Sequence, residues 1–562
     1  MKQSINTSTP VGTSINKGVL EVDGQKLKRL FNAALTWVKN NQQHINSLNV
    51  FPVPDGDTGT NMFLTLQSAY QEVSESQDEN AGRIIHMIAQ GALMGARGNS
   101  GVILSQLLRG FARALDEKEN IDASLLIKCL AEARNTAYKG VVRPVEGTIL
   151  TVAKDIASLA ETSLIETNDL VEMLEAIVQE ADRSVKRTPD LLPILKQAGV
   201  VDSGGIGLFY LFEGMLRYAK KLPLDESVVE KHVQIVPIAD LDVLDEAIEP
   251  GQDFEVVVDF VPNSALNVDT LYEDLAKIGT SIQLGEGDNM YRMHIHVPSD
   301  KQYVPINYIS KIGTVQKVYI ENLIEQMKKK GESSKQNLSS KIKEGQIAVI
   351  AVSPGEGISR IFDSLGVAAI VAGGQTMNPS TKEILDSFAN LPTDKVIILP
   401  NNENIILTAE STKAMSTKKV AVIPSISVPQ GLIACLRLDP DGDYESIIGE
   451  MNESLREVET GEITTATRSV QINGVEVKKG DVIALHNGIL VDSSNNLKTA
   501  CMNLLEKIDA EKKEHITIFY GTGLEESQIN EIVELIKDKY NEQEIEVHEG
   551  GQPHYQIILS VE

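Results

Sequence analysis

Cysteine, tryptophan and positive charge are all scarce in this chain. Its 562 residues hold 3 Cys and 1 Trp, and Lys+Arg 52 stand against Asp+Glu 79, a net charge of -27. Cys129, Cys435 and Cys501 lie far apart in apolar or helical surroundings. That spacing excludes a disulfide framework and a CxxC metal knuckle, and predicts buried, reduced thiols in a cytoplasmic protein. The acidic balance excludes a general affinity for nucleic acid or anionic membrane, because both are polyanions. No window holds the roughly 18 consecutive apolar residues of a membrane helix. The opening "MKQSINTSTPVGTSINKG" also lacks the apolar core of a signal peptide. A soluble factor is expected.

What is present divides into segments. The length predicts roughly three to four domains, and residues 1–24 read as a disordered tail. Over residues 25–222 the period is helical: Leu27, Leu30, Phe31, Ala34, Trp37 and Val38 share one face. With almost no strand-like alternation, this segment reads as an all-α domain of about eight helices. Residues 223–251 form an acidic linker, and 252–327 a small α+β domain in which "FEVVVDF" and "MYRMHIHV" flank the helix "VDTLYEDLAKIG". A Lys/Ser-rich linker, 328–345, leads into 346–562. There "IAVIAV", "AAIVAG", "KVIILP" and "KVAVIP" alternate with helices, the pattern of βαβ units on a parallel sheet. The stretch "VQINGVEVKKGDVIALHNGILVDS" adds hairpins around Asn-Gly turns.

Four polar, glycine-bearing loops interrupt the helical segment. In "LNVFPVPDGDTGTNM", Asp55 and Asp57 flank Gly56. Two carboxylates that close repel unless a cation lies between them, and hard oxygen ligands suit Mg²⁺. Thr58, Thr60 and Asn61 follow at a helix start, where anions bind readily. In "GARGNSGVILSQLLRG", Gly98, Asn99, Ser100 and Gly101 break an apolar helical run at a cost of about 1 kcal/mol per glycine; a phosphate-holding helix start would explain them. "VRPVEGTILTV", with Thr148, and "AGVVDSGGIGL", with Asp202 and Gly204, share that character. Taken singly, each loop can be read as a plain turn, and Asp-Gly is among the commonest turn pairs. An up-and-down helical arrangement, however, gathers alternate loops at one end.

These four motifs, in this order, resemble the DhaL-type nucleotide-binding domain of dihydroxyacetone kinases, and most of all the A-subunit family of bacterial fatty acid kinases. The likeness extends to "VAGGQTMNPSTKEIL" and the closing "GGQPHYQIILSVE". It implies an antiparallel eight-helix barrel with ATP at its rim, followed by an α+β middle domain and a DegV-like α/β domain. Asp55 and Asp57 match the Mg²⁺-binding acids. Asn49 is the oxygen donor nearest to where the family has a further acid. Thr60, Asn61 and the loop from Gly98 to Gly101 match phosphate contacts, while Thr148 and Asp202 match loops lining the nucleotide. The implied reaction moves the γ-phosphoryl group of ATP to the carboxylate of a fatty acid, for phospholipid synthesis. A separate, DegV-like carrier protein presents that fatty acid. A carboxylate needs no general base, so positioning and charge neutralisation supply the catalysis. Arg97 or Arg143 would stabilise the transferring group. A homodimer is implied as well.

Other readings stand beside this one: a DhaL-type phosphotransferase on a small hydroxylated substrate such as dihydroxyacetone, a nucleotide-sensing interaction module, or a metal hydrolase of the middle domain. In "MHIHV", His294 and His296 fall on one face of a strand, as two Zn²⁺ ligands would. Relatives pair this HxH with a cysteine and a glutamate. Here Asp253 stands at the cysteine position, and Glu255 keeps the acid. The C-terminal "GGQTMNPS" is expected to serve docking and scaffolding, and His486, His548 and His554 show no ligand spacing.

Overall fold

The computed structural model describes residues 19–50, 56–116, 118–141, 143–224, 236–237, 253–264, 266–287, 290–322, 342–466, 469–472 and 474–562. Two compact units form, one within Met1–Val228 and Lys341–Glu562, the other within Val229–Ser340. The helical and C-terminal α/β segments thus share a unit, although the middle segment separates them in sequence.

The helical part contains α1 (Gly24–Asn40), α2 (Gln42–Ser47), α3 (Thr58–Gln71), α4 (Ala81–Gly95), α5 (Gly98–Ala114), α6 (Ala123–Gly140), α7 (Ile149–Ser163), α8 (Leu170–Leu191), α9 (Pro193–Ala198) and α10 (Ser203–Ala219). Among the described residues eight of these are long; α2 and α9 are six-residue pieces inside connections. That pair corrects the expected count, because the amphipathic period cannot register in so short a helix. Each long helix packs on the next, and α10 closes the ring on α1. At the closure Trp37 is fully buried, its indole N–H donates to the Glu213 carboxylate at 2.7 Å, and the Arg217 guanidinium covers its ring at 4.1 Å. The apolar stripes line the interior, where a cavity of about 150 Å³ lies among Leu27, Phe31, Leu104, Leu107, Ile156 and Leu211. The structured chain begins before the expected residue 25: Val22 and Ile121 exchange backbone hydrogen bonds of 3.0 and 2.9 Å. Residues 1–18 of the expected tail lie outside the described residues.

In the middle unit, β1 (Val236–Pro237), β2 (Phe254–Pro262), β3 (Thr280–Gly287), β4 (Met290–Val297) and β5 (Gly313–Asn322) form one sheet in the order β1-β3-β4-β2-β5. The expected acidic linker therefore contributes a short strand, β1, parallel to β3. Helices α11 (Val268–Leu275) and α12 (Val304–Ile312) cover one face. Val256, Val258 and Phe260, at the period of a strand, pack there with Leu271, Leu275 and Ile309.

The C-terminal part opens with β6 (Ile347–Ser353), α13 (Glu356–Ser364), β7 (Ala369–Ala372), α14 (Thr381–Ala389), β8 (Lys395–Leu399), α15 (Glu403–Met415) and β9 (Lys419–Val422). The four strands are parallel in the order β7-β6-β8-β9, as the βαβ pattern predicts. Helices α16 (Val428–Cys435) and α17 (Tyr444–Ser454) lead to β10 (Glu459–Thr465), followed by β11 (Val470–Ile472), β12 (Val475–Val477), β13 (Val482–His486), β14 (Ile489–Ser494), α18 (Leu497–Lys507), β15 (His515–Tyr520), α19 (Glu526–Lys539), β16 (Glu544–Glu549) and β17 (Ile557–Val561). Both hairpins form, β11 with β12 and β13 with β14. The second turns through Asn487 and Gly488 at positive φ, as an Asn-Gly turn requires. Ile342, in the expected linker, is buried in this core.

Candidate nucleotide and metal site

In a closed up-and-down ring, alternate helices point the same way. The alternate long helices α3, α5, α7 and α10 begin at Thr58, Gly98, Ile149 and Ser203, so each starts from one of the four motif loops. The contacts between these loops run in series. Gly98, at φ 56°, sits so close to Asn61 that a Cβ there would lie 2.5 Å from the amide nitrogen. The Ser203 hydroxyl donates to the Thr58 hydroxyl at 3.1 Å. The buried Asp202 carboxylate accepts from the backbone N–H of Gly205 at 2.6 Å and also from that of Ile149. Four helix N-termini therefore converge; the N–H groups of Gly59 and Thr60 are taken by Asn46, that of Leu150 by Thr148, and those of Ile149 and Gly205 by Asp202, while the partial positive charges of the helix starts favour an anion at one rim.

The carboxylates at the starts of the long helices divide into two kinds. Asp23, Asp122, Asp169 and Asp202 each cap their own helix, accepting from Lys26, Leu125, Val171 and Gly205 backbone N–H groups. Asp57 occupies the N-cap of α3 and makes no such bond. It is 6% exposed, with the Asn49 amide nitrogen 3.5 Å from one oxygen and the Asn378 amide donating to the other. A buried carboxylate held by amides rather than by its helix is suited to a hard cation. Asp55 lies outside the described residues. Among the described residues no three His, Cys, Asp or Glu side chains are placed to hold a metal ion, and Asp57 has the amides of Asn49 and Asn378 beside it.

The remaining candidates fall in different places. Thr60 turns its hydroxyl to α2, accepting from Gln42 at 2.9 Å and Asn46 at 3.1 Å. Thr148 caps α7 and donates to the Val145 carbonyl at 2.7 Å. Gly204 faces Ile149 and Asp202, and Gly101 packs against Thr65. Asn99 donates to the Asn404 side-chain oxygen at 3.2 Å, while Ser100 is half-buried in the first turn of α5. Arg97 donates to the Asn378 carbonyl at 2.9 Å and pairs with Glu383 at 3.0 Å. Arg143 is exposed. Burial holds the Asp202 carboxyl up at about 7 despite its two backbone donors.

Sequence reasoning missed the part played by "GGQTMNPS". Expected only to dock and scaffold, it brings Asn378 against Asp57. Two signals point to it: the Asn-Pro pair just before a helix, and the Gly-Gly at the end of β7. His554, grouped with unpartnered histidines, sits at φ 65° with its ring 2.7 Å from the Thr376 hydroxyl of the same loop.

The expected zinc set does not assemble. His294 and His296 stand side by side with ring centroids 4.9 Å apart, and Glu255 lies 3.3 Å from His294. Asp253 turns away, accepting from the Ser299 N–H at 2.8 Å and its hydroxyl at 2.6 Å. Aspartate oxygens are strong acceptors, and one of them takes both bonds from Ser299. Burial, and secondarily His296, lowers His294 to about 4.

Comparison with known proteins places these features in one lineage. Residues 52–217 match the DAK2 domain model, 250–330 the FakA-like middle domain, and 348–562 the FakA-like C-terminal domain, FakA denoting the A-subunit of fatty acid kinase. Proteins of Staphylococcus aureus strains USA300 and MRSA252, both described as uncharacterized, are each 38% identical over 535 residues, covering 93% of this chain and 96% of theirs. Among solved structures, the dihydroxyacetone kinase from C. freundii in complex with AMP-PNP and Mg²⁺ is 16% identical, covering 39% of this chain and 38% of that one, with a TM-score of 0.28. The Streptococcus pneumoniae fatty acid kinase B3 protein loaded with linoleic acid is 11% identical, covering 39% and 99%, also at 0.28. With three family models matched in order and relatives aligned nearly end to end, the chain belongs to the FakA-like family of fatty acid kinase proteins.

Proposed function

We propose that this chain is the ATP- and Mg²⁺-dependent component of a fatty acid kinase. It transfers the γ-phosphoryl group of ATP to the carboxylate of a fatty acid presented by a separate carrier protein. The observation that carries this reading is the convergence of four helix N-termini around Asp57, a buried carboxylate not used in capping. Family membership supports the acyl substrate and the carrier.

The partial positive charges of the converging helix starts orient the phosphates of ATP, led by the start of α5, which has no side-chain cap, with Asn61 held beside Gly98 there. Asp57 and Asn49, with Asp55, would hold Mg²⁺, which when bound supplies neutralisation of phosphate charge. The fatty-acid carboxylate oxygen forms a bond to phosphorus as the bond to the ADP oxygen breaks, so acyl-phosphate and ADP are the products. No proton moves, and no base is required at the rim. Orientation and charge account for the acceleration.

The test combines the purified chain, ATP, Mg²⁺, oleate and a carrier shown to bind lipid, with acyl-phosphate trapped by hydroxylamine. Acyl-hydroxamate that depends on all components is expected. Its absence with a loaded carrier would remove the acyl kinase reading. Phosphorylation of dihydroxyacetone in its place would identify the alternative phosphotransferase.

A further inference from the structure

We propose that Asn378, supplied by the C-terminal α/β part, is a positioning residue of the metal–nucleotide site in the helical ring; this rests on the functional reading above. The α/β part is then a wall of the phosphoryl-transfer site as well as a scaffold.

Several independent contacts bring the residue there. The Asn378 amide donates to the Asp57 carboxylate, and its backbone carbonyl accepts from Arg97 at 2.9 Å. Three residues on, the Thr381 N–H donates to the Ala96 carbonyl at 3.2 Å. Ser380 and Glu383 form a capping box that fixes the start of α14, and Glu383 pairs with Arg97. The loop therefore cannot shift without breaking both a helix cap and an ion pair.

Asn378 is 3% exposed, and among the described residues its side-chain oxygen is buried without a hydrogen-bond partner. Leaving a buried acceptor unmade costs about 1–3 kcal/mol. Plain interface packing gives no reason to bury that oxygen unpaired, since an apolar side chain of the same branched shape carries no such cost. A metal–nucleotide site gives one: the nitrogen orients Asp57, and the oxygen is a hard donor beside it. Gly98 lies beside this pair: a Cβ there would make ordinary contact with the Asn378 amide nitrogen at 3.5 Å and would crowd the Asn61 amide at 2.5 Å.

The test uses the full chain, with Mg²⁺ alone and with Mg²⁺ plus a β,γ-imido analogue of ATP. Asn378→Leu keeps the branched shape and removes both polar atoms. It should weaken Mg²⁺-dependent analogue binding about tenfold, the usual effect of removing a partner of a metal ligand, and leave metal-free binding unchanged. Asn378→Asp sets a second carboxylate against Asp57, so Mg²⁺ alone should raise its melting temperature more than it raises that of the unaltered protein. Either variant behaving as the unaltered protein would overturn the proposal and leave Asn378 as interface packing. Asp57→Asn serves as the control. If it too binds analogue and Mg²⁺ normally, the metal–nucleotide reading itself fails; if it alone loses binding, only the role of Asn378 does.

Discussion

Arg97, at the N-cap of α5, and Glu383, in the first turn of α14, form an ion pair at 3.0 Å across 286 residues of sequence. Partial desolvation acts to raise the Glu383 carboxyl, but the Arg97 charge and the hydrogen bonds from Ser380 hold it below its ordinary value. A carboxyl lowered in this way contributes stability above its unfolded value and loses it as pH falls through the folded one. Glu383→Gln keeps an acceptor for Ser380 and removes the charge. Hydrogen exchange at Thr381 and in the first turn of α5 should quicken, with global stability falling by less than about 1 kcal/mol because the pair is partly exposed. Unchanged exchange in both segments would show that the pair does not hold the two parts together.

Asp57→Asn should lower turnover by about 10³-fold or more, since the proposed Mg²⁺ ligand loses its charge and the phosphate charge is then left without its neutralising ion. The fold should survive: asparagine keeps one oxygen for the Asn49 amide, its new NH₂ can be met by the Asn378 oxygen once that amide flips, and Asp57 makes no cap bond to lose. Melting within about 2 °C of the unaltered protein is the check on that second half. Turnover that persists in a stable variant would take Asp57 out of the site.

Gly98 tests the cradle in a different way. Its φ of 56° is one that side chains rarely adopt, and the added Cβ would meet the Asn61 amide at 2.5 Å. Gly98→Ala should destabilise by about 1–2 kcal/mol through backbone strain alone. Nucleotide affinity should fall as well, because Asn61 must move. Loss of stability with intact affinity would confine the role of Gly98 to folding.

What is legible in the sequence follows from the range of each signal. The long helices, the parallel strands and both Asn-Gly turns are local patterns, repeated over enough residues to stand out. The four rim loops are visible as glycine and hydroxyl breaks in apolar helices. Asn378 is not, because its function depends on a contact with Asp57 across 321 residues, and no local pattern encodes that distance. The same holds for Asp253. Strand alternation puts it on the face of Glu255, yet the competing donor at Ser299 decides where its carboxylate goes. Arg97 stands out in sequence for its place in a loop, and its engagement with Glu383 becomes visible only when the two parts meet.

His294 makes a prediction about pH in the middle unit. Burial, with His296 beside it, lowers its value to about 4 from an ordinary 6.5. Between those limits the unfolded chain binds a proton that the folded one refuses, so this unit loses stability as pH falls from about 6.5 towards 4. Histidine-selective NMR on the intact chain should find one imidazole that stays neutral down to about pH 5. A His294 midpoint at its ordinary value would contradict the burial argument, and His294→Leu should flatten the acid limb of the stability profile.

Asp202 predicts the opposite slope for the helical ring. Burial raises its carboxyl to about 7, against an ordinary 3.8, and the N–H groups of Gly205 and Ile149 offset only part of that cost. From about pH 4 to 7 the folded ring keeps a proton that the unfolded chain has released. Stability therefore falls as pH rises through that window, by a few kcal/mol at most. Asp202→Asn leaves an acceptor for the Gly205 N–H at the start of α10 and removes the charge. The ring should then be more stable than the unaltered one at about pH 8, with little difference at about pH 4. Trp37 gives a selective readout, since it is the single tryptophan of the chain and is buried where α1 meets α10. Melting followed by its fluorescence across that range should show the two profiles converging in acid and separating above neutrality. Profiles that stay parallel would mean that Asp202 is ionised throughout, with its backbone donors fully offsetting the burial.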